Sequence, residues 1–175
     1  MTAPSAPLVA PLIARAIVES DADAIQVMFE SDRSYFKLTQ GEPPSPVEAQ
    51  SLVAALPPDG DRGYEDKFLF VLLDGEDVAG VIDLIRDYPK PSTWYLGLVF
   101  LVPGQRGKGR GRAILRGLYR WIADQGGTAL RLGVVEGNSG ARWLYASEGF
   151  VFQTAREPDP TVKRVRRVLV LERSL

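Results

Sequence analysis

The sequence has 175 residues, nearly equal numbers of basic and acidic side chains (21 against 22), and no cysteine or histidine. This length fits one compact domain with a single core, and the charge balance predicts no general attraction to nucleic acid or membranes. The composition excludes disulfides, cysteine nucleophiles, thiolate metal sites and histidine-dependent catalytic triads. Any chemistry must use carboxylates, tyrosine, hydroxyls, basic side chains or the backbone.

Hydrophobic periodicity and turn residues predict a single α+β domain, in which a mixed, mostly antiparallel sheet carries helices on both faces. In chain order the predicted elements are a strand at 12–18, a helix that includes 24–29 after a capping segment at 19–21, a loop at 32–47, a helix at about 47–56 that Pro57 and Pro58 end, strands at 68–73, 78–85 and 94–102, a helix at 110–124, a strand at 128–135, a helix capped by Asn138 or Ser139 and ended by Gly149, and strands at 150–154 and 164–171. Residues 74–77 read Asp-Gly-Glu-Asp, which predicts a hairpin turn between the second and third strands.

Residues 1–11 are rich in alanine and proline and have no basic region, so they predict a flexible tail rather than a signal peptide. The domain is then expected over residues 12–175. The most apolar stretch, 94–102, is far shorter than the roughly 20 residues that span a bilayer. We therefore expect a cytoplasmic protein.

The turn between the predicted strand 94–102 and helix 110–124 is rich in glycine and arginine. Six basic residues and no acidic one lie between Arg106 and Arg120, whereas the rest of the chain has 15 basic against 22 acidic residues. Alternating glycines let successive backbone N–H groups converge, and the following helix adds a positive dipole, so the turn predicts a diphosphate site. It is not a Walker A loop, because Gly109 follows Lys108, and the dinucleotide fingerprint fails because Arg112 occupies its last glycine position.

Two spaced motifs carry a family resemblance. Residues 106–111 read Arg-x-x-Gly-x-Gly, and residues 138–150 read Asn-x-x-Ala-x-x-Leu-Tyr-x-x-x-Gly-Phe. The first resembles the R/Q-x-x-G-x-G/A motif of the GNAT superfamily of N-acetyltransferases, and the second is similar to that family's N-x-x-A-x-x-L-Y-x-x-x-G-F. Leu101-x-Pro103 also resembles the family's V-x-P segment. The motifs cover residues 94–152, and the order of elements extends the resemblance over nearly the whole chain.

The resemblance implies that acetyl-CoA is the cosubstrate, that no metal is needed, and that acetyl passes directly to a primary amine of a small molecule or peptide in a ternary complex. Backbone amides of 107–112 would hold the pyrophosphate, and the strand at 99–101 would pair with the pantetheine arm and polarise the thioester carbonyl. Arg106 and Lys108 would add charge, and Asn138 would lie where two central strands splay while also capping its helix. The implied cofactor-binding residues are Val99, Phe100, Leu101, Arg106, Gly107, Lys108, Gly109, Arg110, Gly111, Arg112 and Asn138.

Tyr145 is the implied general acid, because a phenol of pKa ~10 can protonate a thiolate whose conjugate acid has a pKa of ~8.5. A tyrosine packed in the core with a satisfied hydroxyl is the alternative. The proton acceptor stays open, because some family members carry a carboxylate on the strand before the phosphate loop and residues 94–98 contain none. Glu136, Asp83 or a chain of water molecules are the candidates.

Within the loop 32–47, Tyr35 and Phe36 are candidates for substrate binding, and Asp32 and Glu42 for attracting a cationic amine; aromatic residues there more commonly complete a core. The alternative function is a non-catalytic module with the same fold that binds CoA or another anion as a sensor or recruits a partner. RNA binding suits the basic turn but would need interleaved aromatic residues, which the turn lacks. No nucleic-acid or membrane partner is expected, and a homodimer is left open.

Overall fold

The computed structural model describes residues 5–55, 66–159, 161 and 166–175. Over these residues the chain forms seven strands and five α-helices. In chain order they are β1 (Ile13–Ala16), α1 (Ala22–Glu30), α2 (Arg33–Thr39), α3 (Glu48–Ala54), β2 (Lys67–Asp74), β3 (Asp77–Ile85), β4 (Thr93–Leu101), α4 (Arg110–Asp124), β5 (Ala129–Val135), α5 (Ser139–Ser147), β6 (Val151–Arg156) and β7 (Val168–Ser174).

The strands form one sheet in the order β1-β2-β3-β4-β5-β7-β6. The neighbours β4 and β5 are parallel, and the other neighbouring pairs are antiparallel. The parallel pairing runs from Thr93 opposite Ala129 to Leu96 opposite Leu132, and beyond it both strands continue unpaired with each other. The predicted fold class, a mixed and mostly antiparallel sheet in one α+β domain, is confirmed.

Helices cover both faces of the sheet. On one face, α4 buries Ile114, Leu118 and Ile122 in the larger hydrophobic cluster. On the other, α1, α2 and α3 form a second cluster around Phe100 of β4. Successive side chains of a strand point to opposite faces, and the neighbours of Phe100 along β4 accordingly pack with α4. The chain around 99–101 is therefore held from both sides.

The two elements with the strongest local signals match their predicted positions. Helix α4 spans residues 110–124 as predicted, because its apolar side chains recur at helical spacing and Gly126, at φ +79°, takes the left-handed conformation that ends a helix. The hairpin between β2 and β3 turns at Gly75, where φ is +65°. Both elements are specified by residues close together in the sequence.

The prediction of a loop at 32–47 was wrong, because residues 33–39 form α2. This helix has seven residues, too few to be stable alone, and its sequence shows no clear helical periodicity. Tertiary contacts hold it: the Asp32 carboxylate accepts a hydrogen bond from the Tyr35 amide at 3.3 Å, and Phe36 is buried against Phe29. These contacts involve residues that the local pattern does not bring together.

Several predicted bounds shift by a few residues. Strand β1 is shorter than predicted, α3 begins one residue after the predicted start, and β7 continues three residues beyond Leu171. Pro57 and Pro58, predicted to end α3, lie outside the described residues, as do the predicted first residues of the last strand, 164 and 165. Among the described helices, none combines the length and the apolarity needed to cross a membrane.

Ser5, the Leu8 backbone and Val9 lie against α4, whereas the sequence predicted a flexible tail over residues 1–11. Val9 is buried in the larger cluster, and the Trp121 indole N–H donates a hydrogen bond to the Ser5 carbonyl. Val9 supplies an apolar side chain that the alanine- and proline-rich composition obscured. The packed part of the chain therefore begins before residue 12.

Candidate active site

The glycine-rich turn joins β4 to α4 through a short 3₁₀ turn at Pro103–Gln105. Gly107 and Gly109 have φ values of +73° and +76°, a region open to glycine and strained for most other residues. Gly109 is the N-cap of α4, so the first amides of that helix have no intrahelical acceptor. A Cβ at Gly107 or Gly109 would meet nothing within 4 Å, so the space beside these two residues is open. The segment 106–112, where the sequence predicts a diphosphate site, is called here the phosphate loop.

The basic side chains of the phosphate loop are held by different acidic partners. A guanidinium nitrogen of Arg106 lies 2.6 Å from an oxygen of Asp32, Arg110 lies 3.1 Å from Asp74, and Arg112 lies 2.7 Å from Glu148. Lys108 is exposed on the loop. Much of the arginine charge of this segment is thus already opposed by carboxylates.

A small cavity lies where β4 and β5 separate. We call it the splay cavity; its volume is about 70 Å³. Its lining residues come from α2, β4, β5 and α5: Tyr35, Thr39, Leu96, Gly97, Leu98, Val99, Gly133, Val134, Asn138, Ala141 and Tyr145. The structure therefore brings Val99, from the strand before the phosphate loop, together with Asn138 and Tyr145 of the second motif. The side chains of Phe100 and Leu101 are buried in the core instead. Only the backbone groups of these two residues are therefore available to a bound molecule.

Asn138 caps α5, as the sequence predicted. Its side-chain oxygen accepts a hydrogen bond from the Ala141 amide at 3.2 Å. The same residue lines the splay cavity. Its capping role and its position beside the cavity are compatible, because the helix begins where β5 has separated from β4.

Tyr145 is half-buried and lines the splay cavity. Its ring lies 5.5 Å from that of Phe150, and burial, with smaller contributions from Tyr35 and Tyr119, raises the pKa of the Tyr145 phenol above its ordinary value. The hydroxyl therefore stays protonated across the physiological pH range. A protonated phenol in this cavity can donate a proton to a leaving group and cannot act as a base there.

Asp83 is a buried carboxylate on β3, next to the separating strands. The antiparallel pairing of β3 with β4 places Leu84 opposite Leu96 and Asp83 opposite Leu98. Gly97 therefore has no partner on β3 and is an extra residue in β4. A Cβ on Gly97 would lie 2.9 Å from an oxygen of Asp83. The carboxylate from β3 thus occupies the space that a side chain on β4 would fill.

The ammonium group of Lys67 lies 3.0 Å from each oxygen of Asp83 and also donates to the Ala55 carbonyl at 2.7 Å. Burial raises the pKa of Asp83, while the charge of Lys67 and its hydrogen bond oppose the rise. Glu136, the other candidate, has a side chain 49% exposed that lies 3.4 Å from Arg167, and it is not among the residues that line the splay cavity. Asp83 lies against Gly97, which is one of those lining residues, whereas the Glu136 carboxylate pairs with Arg167.

A second cavity of about 310 Å³, called here the helix cavity, lies on the side of the sheet covered by α1–α3. It shares Tyr35, Thr39, Gly97 and Leu98 with the splay cavity and also contacts Asp83. Tyr35 and Phe36 line it, as predicted for a substrate pocket. Asp32 and Glu42 do not: Asp32 is buried at the start of α2, and Glu42 is exposed outside the cavity.

Sequence reasoning missed other residues of the helix cavity, among them Gln40, Glu48, Ser51 and Leu52. The Glu48 carboxylate accepts hydrogen bonds from the Gln40 side chain at 2.9 Å and the Ser45 amide at 3.0 Å. No local signal marks these residues, because they meet the site only once α2 and α3 have packed over β4.

Comparison with known proteins agrees with this architecture. The family model described as Acetyltransferase (GNAT) family matches residues 26–150, so the chain belongs to the GNAT family of acetyltransferases. No curated protein sequence matches the chain significantly.

Solved structures share the fold. An acetyltransferase from Thermus thermophilus superposes with a TM-score of 0.73 at 23% identity, covering 95% of this chain and 99% of its own. The spermidine N-acetyltransferase of Vibrio cholerae, in complex with CoA and spermine, superposes with a TM-score of 0.68 at 21% identity. The match covers 93% of this chain and 95% of that one. The ribosomal-protein-S18-alanine N-acetyltransferase of Escherichia coli superposes with a TM-score of 0.66 at 19% identity, and the match covers 93% of each chain. At these identities the likeness concerns the fold, and the acceptors in these names belong to those proteins.

Proposed function

We propose that this protein transfers an acetyl group from acetyl-CoA to a primary amine, directly and within a ternary complex. The observation that carries the proposal is the junction of the two cavities at Gly97 and Leu98: the splay cavity adjoins the phosphate loop's strand, and the helix cavity opens on the other side. A donor and an acceptor entering from opposite sides would meet at this junction. Because the chain has no cysteine, a cysteine-linked acetyl-enzyme is excluded, which favours direct transfer.

On the donor side, amides of the phosphate loop hold the diphosphate, and unpaired backbone groups of β4 accept the extended arm. The extra residue at Gly97 interrupts the regular ladder, so backbone N–H groups near it are available to the thioester oxygen. Such a donor stabilises the negative charge that develops on that oxygen and needs no titrating side chain.

On the acceptor side, the amine must lose a proton. An amine of pKa ~10.4 is only about 0.04% neutral at pH 7, a cost of roughly 4–5 kcal/mol. We propose that Asp83 takes this proton from the ammonium group, directly or through water, and that the neutral nitrogen then attacks the thioester carbon. As the C–S bond breaks, the Tyr145 hydroxyl gives its proton to the departing sulfur, and the second proton that the nitrogen loses restores the Tyr145 hydroxyl through water.

Acetyl-CoA is expected to stabilise the protein, and an amine to trigger release of free CoA thiol. At 100 times the dissociation constant, mass action adds about 2.7 kcal/mol, or about 5–10 °C in Tm for a domain of this size. The test combines thermal unfolding with a thiol assay over monoamines, polyamines, amino acids, aminoglycosides and peptides with free N-termini. A thermal shift without thiol release from any amine would favour the non-catalytic CoA-binding module, and no shift at millimolar acetyl-CoA would contradict the whole proposal.

Replacing Asp83 by asparagine is expected to lower kcat about 100- to 10,000-fold, the usual contribution of a general base, and to leave acetyl-CoA affinity unchanged. In the wild type, kcat/KM rises with pH as Asp83 loses its proton, over a range raised by its burial; the variant should lack that rise. Steady-state kinetics against pH measures both effects. Asp66→Asn, which breaks the nearby ion pair with Arg86 (2.7 Å), is the matched control. Retained kcat in Asp83→Asn, with a loss in Glu136→Gln, would assign the base to Glu136.

A further inference from the structure

Arg106, the first residue of the phosphate-loop motif, is held by contacts that lead away from the loop. Its Nε donates to the Leu101 carbonyl at 2.8 Å, and a terminal nitrogen lies 2.6 Å from Asp32. Its guanidinium also stands 5.3 Å from the centre of the Phe100 ring. The side chain therefore connects the loop to the end of β4 and to the start of α2.

Asp32 is the other end of this connection and is 6% exposed. It accepts hydrogen bonds from the Ser34 hydroxyl at 2.5 Å and the Tyr35 amide at 3.3 Å, which makes it the N-cap of α2. Burial opposes its charge, but the hydrogen bonds from Ser34 and Arg106 and the charge of Arg106 outweigh burial and lower the pKa of Asp32. It is a carboxylate at neutral pH, and removing Arg106 would leave this buried charge poorly compensated, whereas Arg106 is 43% exposed and would stay solvated without Asp32.

Helix α2 carries one wall of the acceptor side. Tyr35 and Thr39 line both cavities, and Phe36 lines the helix cavity. The Tyr35 ring lies 5.3 Å from the Phe100 ring, the same ring that Arg106 contacts. Because α2 has only seven residues, its position depends on its cap and on these contacts.

We infer that the Asp32–Arg106 pair is a positioning link between the phosphate loop and α2, through which acetyl-CoA binding fixes the acceptor wall. Arg106 thus acts on acceptor binding more than as a phosphate ligand. The inference rests on the proposed function, because it assumes an acceptor amine. The contacts of Arg106 and Asp32 are independent of that assumption. Coupling between two sites is reciprocal and commonly changes affinity by about 5- to 150-fold, so the acceptor would also tighten acetyl-CoA binding.

The test compares Asp32→Asn and Arg106→Gln with Asp74→Asn, the matched control that breaks the Arg110 ion pair on the other side of the loop. We expect the first two to raise the acceptor KM about tenfold and to change acetyl-CoA affinity, measured without acceptor, by less than about threefold. The double variant should be no worse than either single variant, because both remove one interaction. Asp74→Asn should leave the acceptor KM unchanged.

Hydrogen exchange of the amides of residues 33–39 gives a readout that does not need turnover. Acetyl-CoA should slow this exchange in the wild type and in Asp74→Asn, and should not slow it in Asp32→Asn or Arg106→Gln. If no amine is a substrate, the exchange result still decides the link, so its failure is distinct from that of the proposed function. A tenfold loss of acetyl-CoA affinity in Arg106→Gln, with α2 exchange still responsive, would overturn the inference. Should Asp32→Asn fail to fold, Arg106→Gln carries the same comparison.

Discussion

Valine in place of Gly109 is expected to weaken acetyl-CoA binding by at least about 100-fold. The left-handed conformation at φ +76° costs a side-chain-bearing residue about 1–2 kcal/mol, and a β-branched residue more, so the backbone should rotate away from it. That rotation redirects the first amides of α4. Losing two hydrogen bonds to a charged group costs about 3–6 kcal/mol. Calorimetric titration with acetyl-CoA measures the loss.

The matched control is Gly75→Val in the turn between β2 and β3. Gly75 has a similar φ, +65°, and a Cβ there would also meet nothing within 4 Å. The two variants should therefore lose comparable thermal stability, and only Gly109→Val should lose affinity. Unchanged affinity in Gly109→Val would rule out the phosphate loop as the diphosphate site.

Replacing Tyr145 by phenylalanine is expected to lower kcat about 100- to 1,000-fold and to leave the acetyl-CoA dissociation constant within about twofold of the wild type. The change removes one oxygen from the splay cavity and keeps the ring contact with Phe150. Since burial raises the pKa of the Tyr145 phenol, its loss of a proton should produce no alkaline fall in the wild-type rate below about pH 10. Single-turnover and steady-state rates with the best amine provide the measurement.

Tyr119→Phe is the control for this substitution. Tyr119 lies on α4 with the Arg173 guanidinium 4.1 Å from its ring centre, and burial raises its pKa to about 12. It lines neither the splay cavity nor the helix cavity. Loss of the Tyr119 hydroxyl should therefore leave kcat unchanged. An unchanged kcat in Tyr145→Phe would remove this residue from the acid role.

Sequence reasoning succeeded where the determining residues are close together in the chain. Helix α4 follows from its apolar spacing and terminal glycines, and the β2–β3 hairpin follows from its Asp-Gly turn. The phosphate loop and Tyr145 lie within two such compact motifs. Asn138 and Tyr145 come from one motif and Val99 from the strand before the phosphate loop, and the structure shows that all three share one cavity.

Sequence reasoning failed where residues far apart in the chain determine the structure. Helix α2 depends on Asp32 meeting Arg106, which is 74 positions later in the chain. Asp83 was named as a base candidate together with Glu136, and the sequence could not separate them. The distinction comes from the extra residue in β4 at Gly97, which appears only in the pairing of β3 with β4. Strand pairing of this kind has no local signature.

The short parallel pairing of β4 with β5 has a mechanical consequence. Only four residue pairs join the β1–β4 part of the sheet to the β5–β7 part, whereas β2 and β3 are joined over eight. This is the shortest pairing between interior strands of the sheet, and it equals the four pairs that join the edge strand β1 to β2. An extended donor lying along β4 would supply the bonds that β5 does not, so that occupancy stiffens the molecule across its centre. Binding of the donor and the mechanical stability of the sheet would then both depend on the part of β4 beyond Leu96, which is not paired with β5.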